Sequence, residues 1–94
     1  MHFERDALKS LSNRAKHDID FETAQRVFED PLHLTVPDQV IDLEIRWRTI
    51  GWVGGQLLVV VVHTDREDER GEPVLRIISA RKATKHERRD YENG

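Results

Sequence analysis

Basic and protonatable side chains recur through this 94-residue chain at spacings suited to work on a phosphodiester. Arg46 and Arg48 stand two apart in a stretch alternating polar and bulky residues, Arg46 to Trp52. In a strand such residues share a face. Arg81 closes a later apolar stretch and is followed by Lys82, Lys85, Arg88 and Arg89. Arg76, five positions before Arg81, points to the opposite face if that strand is unbroken. Lys9 and Lys16 are seven apart, about two helical turns, and project from one side of a helix. Metal-free cleavage of RNA needs a base for the 2′-hydroxyl, cations for the pentavalent phosphate and an acid for the departing 5′-oxygen. Arginine suits the phosphate, because its planar fork pairs two oxygens and stays charged. Histidine or a carboxylate suits proton transfer, and Tyr or Lys serves where its surroundings lower its pKa.

Each residue also has a plainer reading. Arg46 and Arg48 can be the solvent side of a strand, and His17 can simply answer the carbonyls at a helix end. His63, closing an apolar run, can be a hydrogen-bonded histidine at the core's edge, and Tyr91 a packing residue. His2, His33 and His86 read as surface histidines, and Trp47 and Trp52 as core or interface anchors, with base stacking as the alternative. No P-loop, no glycine fingerprint before a helix and no paired-histidine zinc motif is present. With no cysteine and no tight His cluster, neither metal nor cofactor is expected.

The elements that must hold these groups follow from periodicity. A short strand at 2–4 leads to Asp6, an N-cap for a helix to about Lys16, whose Ala7, Leu8, Leu11 and Ala15 form a stripe expected to face the core. Asp20 caps a second helix with Phe21, Ala24, Val27 and Phe28 inward, stopped at Asp30-Pro31. Strands are expected at 32–36, before a turn at Pro37-Asp38, and at 46–52, before a Gly54-Gly55 hairpin. Leu57 to Val62 reads as a central strand buried on both faces, 65–73 as a charged loop and 74–81 as the last strand. Thr84 with Glu87 has capping-box spacing for a final helix. The order predicts a single α+β domain over 1–94. Its antiparallel sheet has three to four main strands, two N-terminal helices packed on it, and a C-terminal helix lying across the sheet or docking on a partner.

Composition limits the possibilities. There is no basic, apolar leader, and the longest apolar run is six residues, too short to span a bilayer. The chain therefore reads as soluble and cytoplasmic. The net charge of −3 hides an asymmetry: residues 1–45 carry ten acids and five Lys/Arg, whereas 76–94 carry three acids and six. A basic end on an acidic body lets one face approach phosphate. By themselves these residues define a small α+β domain with a basic C-terminal face.

The spaced motifs taken together resemble the BrnT family. They open with Phe3-x-x-Asp6-x-x-Lys9-x-x-x-Asn13-x-x-Lys16-His17 and continue with Phe21-x-x-Ala24-x-x-Val27-Phe28-x-Asp30-Pro31. Glu44-x-Arg46-Trp47-x-x-Ile50-Gly51 and Val61-Val62-His63-Thr64 follow. The finish is Arg76-Ile77-Ile78-Ser79-Ala80-Arg81-Lys82-Ala83-Thr84, then Glu87-Arg88 and Tyr91-Glu92. The match departs at Arg5, where members usually carry Trp, and at Asp18, where Gly commonly follows the Lys-His pair. The resemblance implies a RelE-like fold and a ribonuclease toxin that halts translation. It also implies a BrnA-like antitoxin with a ribbon-helix-helix part, through which alone the toxin meets operator DNA. On that expectation Arg81, Arg46, His17, His63 and Tyr91 are the candidate catalytic residues. Lys9, Lys16, Arg48, Lys82, Lys85 and Arg88 are the candidate RNA contacts. The rival reading is a non-catalytic or degenerate module that docks a partner through the same basic face, its final helix and an edge strand.

Overall fold

A computed structural model describes all 94 residues. The elements run β1 (His2–Glu4), α1 (Ala7–His17), α2 (Phe21–Gln25) with a 3-10 turn (Arg26–Glu29), β2 (Leu34–Ile41), β3 (Glu44–Val53), β4 (Leu57–Glu67), β5 (Pro73–Lys82) and α3 (Lys85–Asn93). The caps read from sequence are in place. The Asp6 carboxylate accepts from the Leu8 and Lys9 amides, Asp20 accepts from Thr23, and Thr84 with Glu87 completes a capping box. Asp18, at the position where the motif it resembles commonly has glycine, adopts the left-handed cap at φ 60°. An aspartate tolerates this conformation at some cost in strain.

The sheet has five strands in the order β1-β5-β4-β3-β2, and β1 runs parallel to β5 while every other pair is antiparallel. The expectation of three or four antiparallel strands is thus corrected to a mixed five-stranded sheet. The second helix is also a shorter element than expected, five residues before the 3-10 turn. Two boundaries move for related reasons. β2 runs through Pro37-Asp38 because it is an edge strand, where a missing amide costs no ladder bond, and the register slips by one residue around Asp38. The turn falls instead at Asp42-Leu43, both left-handed, with Leu43 99% exposed. β4 and β5 stay paired as far as Glu67 and Pro73, which shortens the expected charged loop to 68–72.

Val59, Val60 and Val61 are completely buried at the middle of the sheet, as a doubly covered strand requires. On one face Val59, Val61, Ile77 and Ala80 pack under Ile19, Phe21, Ala24 and Val27. Gly51 is needed there, since a Cβ would stand 2.9 Å from both the Val27 side chain and the Val27 carbonyl. On the other face Ile50, Leu58 and Val60 pack against Trp52, Ala83 and Tyr91, so α3 lies across the sheet.

The first helix overturns its expected orientation. Leu8 is 78% and Leu11 63% exposed, while Asn13 is buried. The cause is what α1 packs against. β1 covers β5 only over residues 74–76, leaving the β5 edge beyond it unpaired. The Asn13 carboxamide takes the place of a strand there, donating to the Ala80 carbonyl at 2.8 Å and accepting from the Ala80 amide at 3.2 Å. It also donates to the Ile19 carbonyl, and the neighbouring Ser10 hydroxyl accepts from the Phe21 amide. A sheet edge is a polar surface, so the helix turns its polar side to it and its apolar stripe to solvent.

Candidate nucleic-acid interface

Alternation along β3 places Arg46 and Arg48 on the same side as Ile50 and Trp52, the side that carries α3. Register extends this face across the sheet, with Arg48 opposite Val62, Val62 opposite Ser79, and Val60 opposite Arg81. The β4–β5 register then shifts by one: Val62 pairs with Ser79, but His63 pairs with Ile77. This bulge reverses the parity of β5, so Arg76, opposite Thr64, lies on the same face as Arg81. The expectation that the two arginines diverge held only for an unbroken strand. Four guanidinium groups, from residues 46, 48, 76 and 81, therefore share one side of the sheet.

Two carboxylates order this cluster. Glu87 binds Arg81 through both oxygens, at 2.6 and 2.9 Å, and accepts the Thr84 amide at 2.9 Å. The Arg81 hydrogen bonds hold the largely buried Glu87 carboxyl at about 2, well under its ordinary 4.5. Arg81 is held protonated in return, first by Glu87 and further by the charge of Asp38. Asp38, on the β2 bulge, lies 3.5 Å from Arg48. One carboxylate thus acts on both Arg48 and Arg81. The Nε donors of Arg46 and Arg48 are buried with no partner.

Lys9 and Lys16 border this face. At 100° per residue they sit roughly 40° and 60° from Asn13 on α1, on the flank away from Ser10. Ser10 faces α2, so the lysines lie toward the opposite, arginine-bearing side of the sheet. Asp6, whose pKa is lowered chiefly by the Lys9 amide, also senses the charges of Lys9 and Arg76. Lys85 begins α3 at the Arg81 end of the face and is exposed.

Other candidates do not join this group. His63 belongs to the α2 side, 1% exposed, its ring edge-on to Phe28. Its Nδ1 is 2.7 Å from Asp65 and its Nε2 2.7 Å from the Thr49 hydroxyl, which in turn contacts Thr35. In the neutral form Nδ1–H donates to Asp65 and Nε2 accepts from Thr49, so every group in the chain is satisfied. Tyr91 donates its hydroxyl to Asp30 at 2.6 Å beneath α3, and burial together with that bond pushes it up to about 12. His17 is exposed at the end of α1. Lys82 pairs with Val59 and so faces the α2 side, and Arg88 stacks on Trp52 at 5.1 Å, beyond α3 from Arg46 and Arg48.

Sequence reading passed over Asp38 and Glu87 as partners of the arginines: the β2–β3 register brings Asp38 to Arg48, and the turn from β5 into α3 brings Glu87 back to Arg81 six residues earlier. It also treated His86 as an ordinary surface residue. Arg88 marks the Trp52 flank of α3, so His86 and Asp90, 3.6 Å apart, lie on the flank toward Arg46 and Arg48.

Burial is the main influence on His63, lowering its pKa below the ordinary 6.5 despite the opposing pull of Asp65. Below pH 6.5 the unfolded chain takes up this proton before the folded one, so stability falls as pH drops through that window and is fully present above it. Melting temperatures measured from pH 7.5 to 5 are expected to decline, and to decline less in His63→Gln. An unchanged slope in the variant would exclude His63 as the cause.

A five-stranded sheet carrying α2 on one side and an arginine-bearing surface beside α3 on the other agrees with the comparisons, which place the protein among ribonuclease toxins of type II toxin–antitoxin systems. The chain belongs to the BrnT family: the profile described as "Ribonuclease toxin, BrnT, of type II toxin-antitoxin system" matches residues 6–87. Its fold is similar to the crystal structure of the Brucella abortus ribonuclease toxin BrnT. The TM-score is 0.68 at 24% identity, covering 90% of this chain and 99% of that one. No curated protein sequence matches the chain. No helix is long and apolar enough to cross a membrane.

Proposed function

We propose that RNA binds along the arginine face and is cut there by a metal-independent, cofactor-free endonucleolytic reaction. Arg46, Arg48 and Arg81 contact the scissile phosphate and stabilise its pentavalent state, while Arg76, Lys9, Lys16 and Lys85 hold the flanking backbone. The observation that carries this reading is the convergence of four arginines from β3 and β5 on one sheet face, with Asp38 bearing on two of them. An RNA phosphate displacing Asp38 would find a preformed cationic site with two orphaned Nε donors, which favours developing negative charge. Proton transfer falls to a group bordering this face. His86, with Asp90 beside it, is suitably carried, whereas the placements of His17, His63 and Tyr91 speak against them.

In the cell such cleavage halts translation in the cytoplasm. The partner is an antitoxin of the ribbon-helix-helix, BrnA-like kind, and the toxin meets operator DNA only through it. Purified, antitoxin-free protein is expected to digest RNA in excess EDTA and to leave 2′,3′-cyclic phosphate ends. Loss of cleavage in EDTA would refute the metal-free mechanism. No cleavage under any condition by well-folded protein would favour the non-catalytic docking module.

A further inference from the structure

The outer side of α1 is the surface the fold leaves without a partner. Leu8 and Leu11 are 78% and 63% exposed, and Ala7 and Ala15 beside them are exposed as well. Measured from buried Asn13 at 100° per residue, Leu8, Leu11 and Ala15 cluster within roughly 40° of the point directly opposite. The helix is amphipathic with its apolar stripe turned to water, where it contributes little to folding and forms the kind of patch that marks an interaction surface. Cations flank that stripe on both sides: Arg14, with Arg5 just before the helix, on one, and Lys9 and Lys16 on the other. All four are exposed, and none has an acidic partner within 4 Å. From Arg5 to Asp18 the chain carries four Lys/Arg against two acids, in a protein whose net charge is −3. Beside Leu11, where α1 meets α2, a depression of about 390 Å³ is lined by Arg5, Ala7, Ser10, Arg14, Asp20 and Glu22.

We infer that this face of α1 is the docking site for the cognate antitoxin, through an amphipathic segment with apolar residues at helical spacing and Asp/Glu at its margins. Apolar anchors at 8, 11 and 15 match a helix laid alongside, and the flanking cations select acidic margins. Other surfaces fit an antitoxin less well. The outward side of α3 carries Lys85, Arg88, Arg89 and Glu92 with no apolar anchor, and the β2 edge is interrupted by Pro37 and the Asp38 bulge. The β2–β3 tip exposes Val40, Leu43 and Ile45, but Asp42 and Glu44 adjoin it. A segment seated on α1 would also cover Lys9 and Lys16 at the rim of the arginine face, which couples docking to loss of RNA access. That last step rests on the proposed cleavage site; the docking itself does not.

The test measures two quantities separately on purified protein: affinity for the cognate antitoxin and RNA cleavage by free toxin. The Leu8→Asp/Leu11→Asp double variant is expected to bind the antitoxin at least a hundredfold more weakly while melting and cleaving RNA as the parent does. Val40→Ser/Ile45→Ser, at the hairpin tip, is expected to bind normally. Parental affinity in the Leu8/Leu11 variant, or a matching loss in the hairpin variant, would overturn the assignment. Parental antitoxin affinity with impaired cleavage would make the stripe an RNA contact. A parent that sediments as a dimer and a Leu8/Leu11 variant that sediments as a monomer would give the face to a second copy of the chain. A parent that binds antitoxin but never cuts RNA would sink the cleavage site and leave the docking site standing.

Discussion

The Arg48→Ala protein is expected to melt close to the parent and to cut RNA about a hundredfold more slowly or worse. Stability changes little because the side chain is a third exposed and its one carboxylate partner, Asp38, is 3.5 Å away. Such half-exposed pairs contribute about 0–1 kcal/mol. Truncation also removes a buried Nε that has no acceptor in the folded protein. The effect on rate is larger because Arg48 is placed to meet charge that develops in the transition state. Removing one preorganised donor of that kind costs about 3–4 kcal/mol, or two to three orders of magnitude. Single-turnover cleavage of a defined RNA over a range of enzyme concentrations separates two roles. A fall in the maximal rate assigns Arg48 to the transition state, whereas a raised half-saturation with unchanged maximum makes it a ground-state anchor. Cleavage at the parental rate would remove Arg48 from the site.

Glu87→Gln is expected to cost about 2–3 kcal/mol at neutral pH and to lower the melting temperature by about 10 °C. Glu87 closes the α3 capping box and receives both Arg81 bonds while only 7% exposed, and the substitution withdraws its charge from both. The full pKa displacement corresponds to slightly more, but Arg81 is 38% exposed and water screens part of the attraction. The pH dependence carries the same signature. The unfolded carboxyl takes its proton near 4.5 and the folded one near 2, so this contribution is complete above pH 4.5 and disappears as pH falls toward 2. Melting curves from pH 6 to 2 should show that decline in the parent and a flatter profile in the variant. Equal slopes would mean the pair contributes nothing net. For the same reason Arg81→Ala is a poor probe of chemistry: it strands a buried carboxylate, so any loss of cleavage must be read beside its melting curve.

Much of the architecture was legible without coordinates, because it depends on neighbours in sequence. The carboxylates of Asp6 and Asp20 reach amides two or three residues ahead, and Thr84 and Glu87 satisfy each other across one turn. The valine run had to be a covered strand because so much apolar area cannot stay in water, and Gly54-Gly55 had to turn because both residues adopt positive φ. The family was legible in the spaced motifs, and the chain's membership in it bears that reading out.

The composition of each face was a different matter. Strand side chains alternate with period two, so one bulged residue, at the slip between the Ser79 and Ile77 pairings, moves Arg76 onto the Arg81 side. His63 is directed away from Arg48 because it sits across from Trp47, one place out of phase in the register. Periodicity correctly found an apolar stripe on α1 but could not say what the helix would lie against. The exposed amide and carbonyl of Ala80, 67 residues later, needed Asn13, and hydrogen-bond demand at that edge outweighed the burial of two leucines. The sequence by itself determined the elements, their caps and the membership in a toxin family. Only the tertiary structure decided which cations stand together, because register and edge pairing are settled by groups far apart along the chain.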